Sequence, residues 1–295
     1  MFGGNMAEKV EYNEDQEKVL SLIKGKDKTM LMAAPSFVVD FNYATFVPTM
    51  KGLGFDTVME LTFGAKVVNE QYHKYIRANK KKQKKFIASV CPMIVNVVKG
   101  QAPEMAPYLL PFDSPMVAMA KILHKAEPNQ KIVFLAPCMA KKMEAKKTNL
   151  IDGVITFKEM KEIVLGEKPK KKGNGKDAHL FDRFYNDFTK IYPLAGGLAA
   201  TLHSKDILKR EEVVSKDNCK NVQFVFDKNS DKVFYELLFC SGGCIGGSGV
   251  ASKEPISLRR KKVLSYRKFA KGEKIGERRG LNKYTKGLNF RTKFD

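Results

Sequence analysis

The sequence predicts an α/β protein: two lobes of mostly parallel sheet flanked by helices, with a ligand in the crevice between them. Three observations carry this. Short apolar runs alternate with segments of helical spacing, the pattern of parallel strands joined by crossover helices. One run, KIVFLA at residues 131–136, is apolar beyond its first residue, as strands covered on both faces are. Three cysteines, Cys91, Cys138 and Cys240, each stand at the end of a strand candidate. In open α/β sheets ligands bind beyond the carboxyl ends of the strands.

In order along the chain, residues 13–23 have helical spacing and stop at Gly25. Residues 29–33 form a strand candidate that must leave its sheet at Pro35, because proline cannot donate to a central ladder. A helix is expected over 37–52, a strand over 57–61 and a helix over 67–78. Residues 86–90 are β-leaning and stop at Cys91-Pro92, with helical patches over 93–110 and 115–125. Strand 131–136 ends at Pro137-Cys138. Residues 153–157 and 158–165 repeat the strand-then-helix rhythm, and 168–177 form a basic loop. Residues 181–192 lead to Gly196-Gly197 and a short helix. Strands at 222–226 and 234–239 close the series, the second ending at Cys240.

The 295 residues, 43% of them hydrophobic, suffice for a substantial core. No apolar stretch approaches the roughly 20 residues that span a bilayer, and residues 1–18 hold no signal-peptide core. A cytoplasmic protein without membrane insertion is therefore expected. The formal net charge is +21, concentrated in residues 251–295, where fifteen Lys/Arg face four Asp/Glu. Such an excess attracts acidic partners, although a solvated lysine-rich surface reads the same way. The tail from 258 to 271 interleaves basic residues with Leu264, Tyr266 and Phe269. A packed amphipathic helix explains this; nucleic-acid binding ranks below it.

Five cysteines do not make a disulfide scaffold. Cys91, Cys138, Cys240 and Cys244 supply the four thiolates that a 4Fe–4S cubane takes. Cys240-Ser-Gly-Gly-Cys244 lies in a glycine-rich stretch, where backbone can pass close to a cofactor. Structural zinc normally takes paired short spacings, which are absent. Another metal and inert core thiols both remain open on spacing alone. Cys219, in a polar stretch, reads as a bystander.

At these residues the sequence resembles the catalytic domain of the FeFe-hydrogenases. Ser89-Val90-Cys91-Pro92 is similar to the family's T-S-C-C-P signature. Ala136-Pro137-Cys138-Met139-Ala140-Lys141-Lys142-Met143-Glu144 is similar to M-P-C-x-x-K-x-x-E. Glu236-Leu237-Leu238-Phe239-Cys240-Ser241-Gly242-Gly243-Cys244 and the glycines after it are similar to E-x-M-A-C-x-x-G-C-x-x-G-G-G. The resemblance implies a minimal member of the family, without an accessory ferredoxin domain, organised in three parts. Residues 1–27 would be an N-terminal segment and helix. Residues 28–250 would be the cluster domain, with lobes at about 28–125 and 126–250. Residues 251–295 would be a basic, helical tail.

The resemblance further implies an H-cluster. Cys91, Cys138, Cys240 and Cys244 would ligate the cubane, and Cys244 would bridge to a two-iron subcluster with CO, cyanide and azadithiolate ligands. Pro35 and Ser36, following Ala34, would flank one cyanide and Lys141 would hold the other. Gly196 and Gly197 would let backbone approach the carbonyls, while Pro115 and Leu238 would wall the cavity. The implied activity is reversible interconversion of protons and electrons with H2. An acidic electron carrier such as ferredoxin and the hydrogenase maturation proteins would be partners.

The departures matter as much. Val90 stands where the enzymes carry a proton-relay cysteine, and valine has no exchangeable side-chain proton. Ala136 and Leu238 replace methionines, and Gln71 and Tyr72 replace an acidic pair. Slow turnover is expected, or, as the alternative, a non-catalytic 4Fe–4S protein for H2 or redox sensing or for iron–sulfur protein assembly.

Overall fold

The computed structural model describes residues 11–172, 180–182, 188–203, 205–223, 225–270 and 281–294. Strands β1 (Thr29–Ala33), β2 (Thr57–Glu60), β4 (Lys131–Ala136) and β5 (Gly153–Thr156) form one sheet in the order β2-β1-β4-β5, parallel throughout. Strands β3 (Phe86–Ile87), β6 (Val213–Lys216) and β7 (Phe234–Leu237) form a second parallel sheet in the order β3-β7-β6. Leu31 pairs with Val58 on one side and Val133 on the other. Every residue of β1 is buried, because helices cover both faces of a parallel sheet.

Those helices start and stop on local chemistry. Asn13 and Gln16 form a capping box at the start of α1 (Glu14–Lys24), each side chain accepting from the other's backbone N–H at 3.0 and 2.9 Å. Thr156 and Glu159 do the same for α7 (Phe157–Glu167). Ser114 caps α5 (Pro115–Ala126), with proline at its first position. Helix α3 (Thr62–Asn79) packs on α5. At their crossing, a Cβ on Gly64 would meet the Pro115 carbonyl oxygen at 2.4 Å. A smaller core under the second sheet gathers Ile87, Ile94, Val98, Tyr235 and Leu237, with Ile94 and Val98 from α4 (Pro92–Gln101). None of the described helices is long and apolar enough to cross a membrane.

Several expectations are corrected. The helix expected over 37–52 divides into a 3-10 turn, Pro35–Val39, and α2 (Tyr43–Leu53), because Asn42 caps a new helix by accepting from Ala44 N at 2.9 Å. The helix expected over 93–110 stops at Gln101, ahead of Pro103. The described residues of the run 222–226 join no sheet; β6 at Val213–Lys216 takes the edge beside β7 instead. Cys219, despite its polar neighbours, is buried in the smaller core. A division of the lobes near residue 125 does not follow the sheets, since β1 and β2 pair in one sheet with β4 and β5. The crossover between β2 and β4 houses β3, which belongs to the other sheet. The basic tail forms α9 (Ile256–Ala270), whose Val263 and Tyr266 are buried in the main core. The basic loop's residues 173–177 lie outside the described residues.

Candidate metal centre

All strands within each sheet run parallel, so their carboxyl ends share one edge. Five of those ends meet around one cavity. Ala34, Pro35 and Ser36 follow β1, Leu61 follows β2, Val90 and Cys91 follow β3, Pro137 and Cys138 follow β4, and Leu238 and Cys244 follow β7. The cavity, of about 100 Å³, lies between the two sheets, and apolar side chains dominate its wall.

Each thiol is fixed by its own backbone. The turn before Cys91 is pinned by Ser89, whose N–H donates to Tyr72 Oη at 2.9 Å and whose hydroxyl donates to the Leu110 carbonyl at 2.7 Å. Cys91 then caps α4, with Pro92 at its first position. Cys138 stands in the turn that opens α6 (Ala140–Thr148), where the Lys141 N–H donates to the Cys138 carbonyl at 3.4 Å. Cys244 N donates to the Pro193 carbonyl at 2.8 Å, and Gly243 N to the Cys240 carbonyl at 3.0 Å. Gly243 has φ +71°, and a Cβ there would sit 2.6 Å from the Pro193 oxygen. Only glycine lets the two backbones approach this closely.

Burial pushes the thiols of Cys138, Cys240 and Cys244 above the usual range. At both Cys240 and Cys244, the charges of Cys138 and Cys91 raise the thiol further. The four sulfurs are thus near enough to feel one another, so a cation placed among them would be strongly favoured. Among the described residues, no three His, Cys, Asp or Glu side chains close into a holder for a single metal ion. A cubane differs in offering four separate iron corners to four thiols.

Two polar groups accompany the sulfurs. Lys141 Nζ bonds Glu144 Oε2 at 2.5 Å. Burial opposes its charge, but Glu144 and the neighbouring Cys138 and Cys91 outweigh that and hold its pKa above the ordinary lysine value. The Ser36 hydroxyl is fully buried and has no hydrogen-bond partner among the described residues. A buried donor beside a cavity that lysine also lines fits an anionic, hydrogen-bond-accepting occupant.

The residues expected from the sequence are therefore mostly assembled. Ala34, Pro35, Ser36, Cys91, Pro115, Cys138, Lys141, Leu238 and Cys244 line the cavity together. Cys240, Gly196 and Gly197 do not. Cys240 precedes the tight turn that delivers Cys244. Gly196, at φ +85°, lines a separate outer basin, and a Cβ on Gly197 would collide with the Ile191 carbonyl at 2.0 Å. Gly196 thus answers to its left-handed backbone and Gly197 to close backbone packing, both just ahead of the following helix. The residue that sequence reading passed over is Glu236, noted there only as the first letter of a motif. It is buried in β7 and lines the cavity. A carboxylate inside an apolar strand was the available signal.

This fold matches known proteins. The family described as "Iron only hydrogenase large subunit, C-terminal domain" matches residues 27–248, and the chain belongs to that family. A HydA structure from a study of stepwise FeFe-hydrogenase H-cluster assembly superposes with TM-score 0.68 at 15% identity, covering 95% of this chain and 98% of that one. A glutamate-to-alanine variant of the FeFe-hydrogenase HydA1 from Chlamydomonas reinhardtii gives TM-score 0.63 at 16% identity, covering 84% and 88%. At these identities the likeness is one of fold. Two curated relatives are named cytosolic Fe-S cluster assembly factor NAR1. The Eremothecium gossypii protein is 36% identical over 76 residues, 25% of this chain and 17% of that protein. The Kluyveromyces lactis protein is 29% identical over 119 residues, 36% and 25% respectively. The chain thus spans no more than a quarter of either relative's length.

Proposed function

We propose that this protein holds a 4Fe–4S cubane on Cys91, Cys138, Cys240 and Cys244, accepts a two-iron subcluster with CO, cyanide and azadithiolate ligands in the adjoining cavity, and slowly interconverts protons and electrons with H2 in the cytoplasm. The observation that carries the reading is the unpaired, buried Ser36 hydroxyl on a cavity lined by three of the four thiols. Leaving such a donor unsatisfied costs about 1–3 kcal/mol, and a cyanide nitrogen would accept from it. When bound, the cofactor supplies the metal site at which H2 is formed or split.

The chain's own residues position and enclose. Lys141 offers a charge-assisted donor at the cavity wall. Pro35, Pro115 and Leu238 exclude water from it. Electrons would come from an acidic carrier such as ferredoxin, favoured by the +21 net charge. Met139, just ahead of α6, and Met143 within it are exposed next to Cys138 and offer that carrier an apolar contact. Hydrogenase maturation proteins would deliver the subcluster.

A second reading has its own support in Val90, which lines the cavity and cannot relay a proton, and in the names of the two NAR1 relatives. On it, the protein carries the cubane alone and serves iron–sulfur protein assembly or redox sensing. Infrared spectroscopy after reconstitution with iron, sulfide and a synthetic two-iron complex separates the two. CO and cyanide bands, with H2 evolution from reduced ferredoxin, are expected. A cubane signal with no such bands would overturn the first reading and leave the second.

A further inference from the structure

Glu236 connects two compartments. Glu236 is one of the residues lining the inner cavity. Oε1 accepts from Leu198 N at 3.2 Å, and Oε2 accepts from Ala199 N at 2.9 Å and from the Ser215 hydroxyl at 3.2 Å. Ser215 is part-exposed and, with Ala199 and Gly196, lines a separate open basin of about 1050 Å³ beside β6. A two-residue chain of hydrogen-bonding groups therefore runs from solvent to the cavity.

We infer that Ser215 and Glu236 form a proton relay between the outer basin and the cavity, in place of the thiol route that Val90 lacks. The inference rests on the proposed function only for what the protons are used for. In the inward direction, protonated Glu236 gives its proton to a base in the cavity. The resulting carboxylate takes the Ser215 hydroxyl proton, and Ser215 takes one from basin water. One proton has then moved inward, and the relay resets when the carboxyl proton received on Oε2 turns back toward the cavity. The outward direction reverses these steps.

The surroundings suit the task. Burial raises Glu236 from the ordinary carboxylate value to about 7, with the N–H groups of Ala199 and Leu198 and the Ser215 hydroxyl opposing. An acid poised near neutrality transfers protons best. The cavity it lines is also lined by Lys141, already paired with Glu144, and by Cys91, Cys138 and Cys244. On the basin side stand Lys80, Asp206, Lys209, Arg210 and Glu212. Val90, Met116, Phe134 and Leu238 belong to the apolar part of the wall and have no transferable proton, while Tyr192 adds a phenol to the lining.

The test uses the full chain and the variants Glu236→Gln and Ser215→Ala. In the protein without metal, the infrared band of a protonated carboxyl group near pH 6 should vanish in Glu236→Gln. In the parent it should shift rapidly on transfer to D2O, and in Ser215→Ala at least about tenfold more slowly. In the reconstituted protein, Glu236→Gln should lower H2 evolution on the order of a hundredfold with the cubane signal unchanged. Ser215→Ala should lower it less and enlarge the solvent deuterium effect. Should Glu236→Gln fail to fold, Ser215→Ala alone decides. Parental exchange and turnover in Ser215→Ala would overturn the relay. Absence of CO and cyanide bands in the parent would instead sink the proposed function, while the exchange measurement still judged the relay.

Discussion

The Tyr266 hydroxyl donates to Glu60 Oε1 at 2.6 Å, joining the basic tail to the end of β2 across 206 residues of sequence. Lys190 completes the group, its ammonium 2.5 Å from Glu60 Oε2 and 2.9 Å from the tyrosine oxygen. Thr62 adds a donor to Oε2 at 2.9 Å. All four side chains are buried. A charge pair this deep is tolerated only when its remaining hydrogen-bonding capacity is met, and the tail supplies the last donor.

That arrangement predicts an order of damage. Lys190→Met leaves a buried carboxylate without its counter-charge and should cost about 3–5 kcal/mol. Tyr266→Phe removes one donor and should cost about 1–2 kcal/mol. Urea unfolding of the two variants measures both. A Lys190→Met protein as stable as the parent would show that the pair is not buried in solution.

Lys141 stands between Glu144 and the cavity. Lys141→Met should leave cubane loading intact, since four thiols remain. It should lower uptake of a synthetic two-iron complex at least about tenfold, by removing a charge-assisted donor worth roughly 1.5–3 kcal/mol. Iron counts and the infrared cyanide bands report the two steps separately. Equal uptake would assign Lys141 to the Glu144 pair alone.

Glu236 gives the metal-free protein a pH signature. Its pKa is raised from 4.5 to about 7 in the fold, so the native state holds the proton more tightly than the unfolded chain. The resulting stability is complete below about pH 4.5 and is lost as pH rises through about 7. The span is worth about 3 kcal/mol. Glu236→Gln, which cannot titrate, should flatten that part of the stability profile measured by denaturant unfolding between pH 5 and pH 8. An unchanged profile would place the titration elsewhere.

Val90 is part-buried, on the cavity wall beside Cys91. Val90→Cys introduces an exchangeable proton there and should raise H2 evolution by the reconstituted protein, by up to the 10²-fold that a placed acid contributes. Turnover equal to the parent's would indicate that protons already arrive faster than the remaining steps use them.

Much of this molecule is legible in one dimension. Apolar runs such as 131–136 have to be covered on both faces, so a parallel sheet with flanking helices follows from them. Proline at 35, 92 and 137 and glycine at 243 mark where the chain must leave a strand or turn sharply. The three motifs mark which thiols to watch. These signals are local, fixed by backbone sterics and by the polarity of a few neighbouring side chains.

Tertiary structure decided the rest. Pairing order was invisible, because which strands lie side by side depends on helices packing across 100 residues. Hence β1 and β4 share a sheet, and no boundary near residue 125 separates the lobes. The tail's amphipathic spacing pointed to a packed helix, but its partner was hidden for the same reason: Tyr266 finds Glu60 only in the folded chain. Glu236 is the sharpest case. In sequence it is one acid among thirty-two. Only its enclosure, with Ser215 on one side and the cavity on the other, sets its proton affinity, because desolvation is a property of the surroundings and not of the residue.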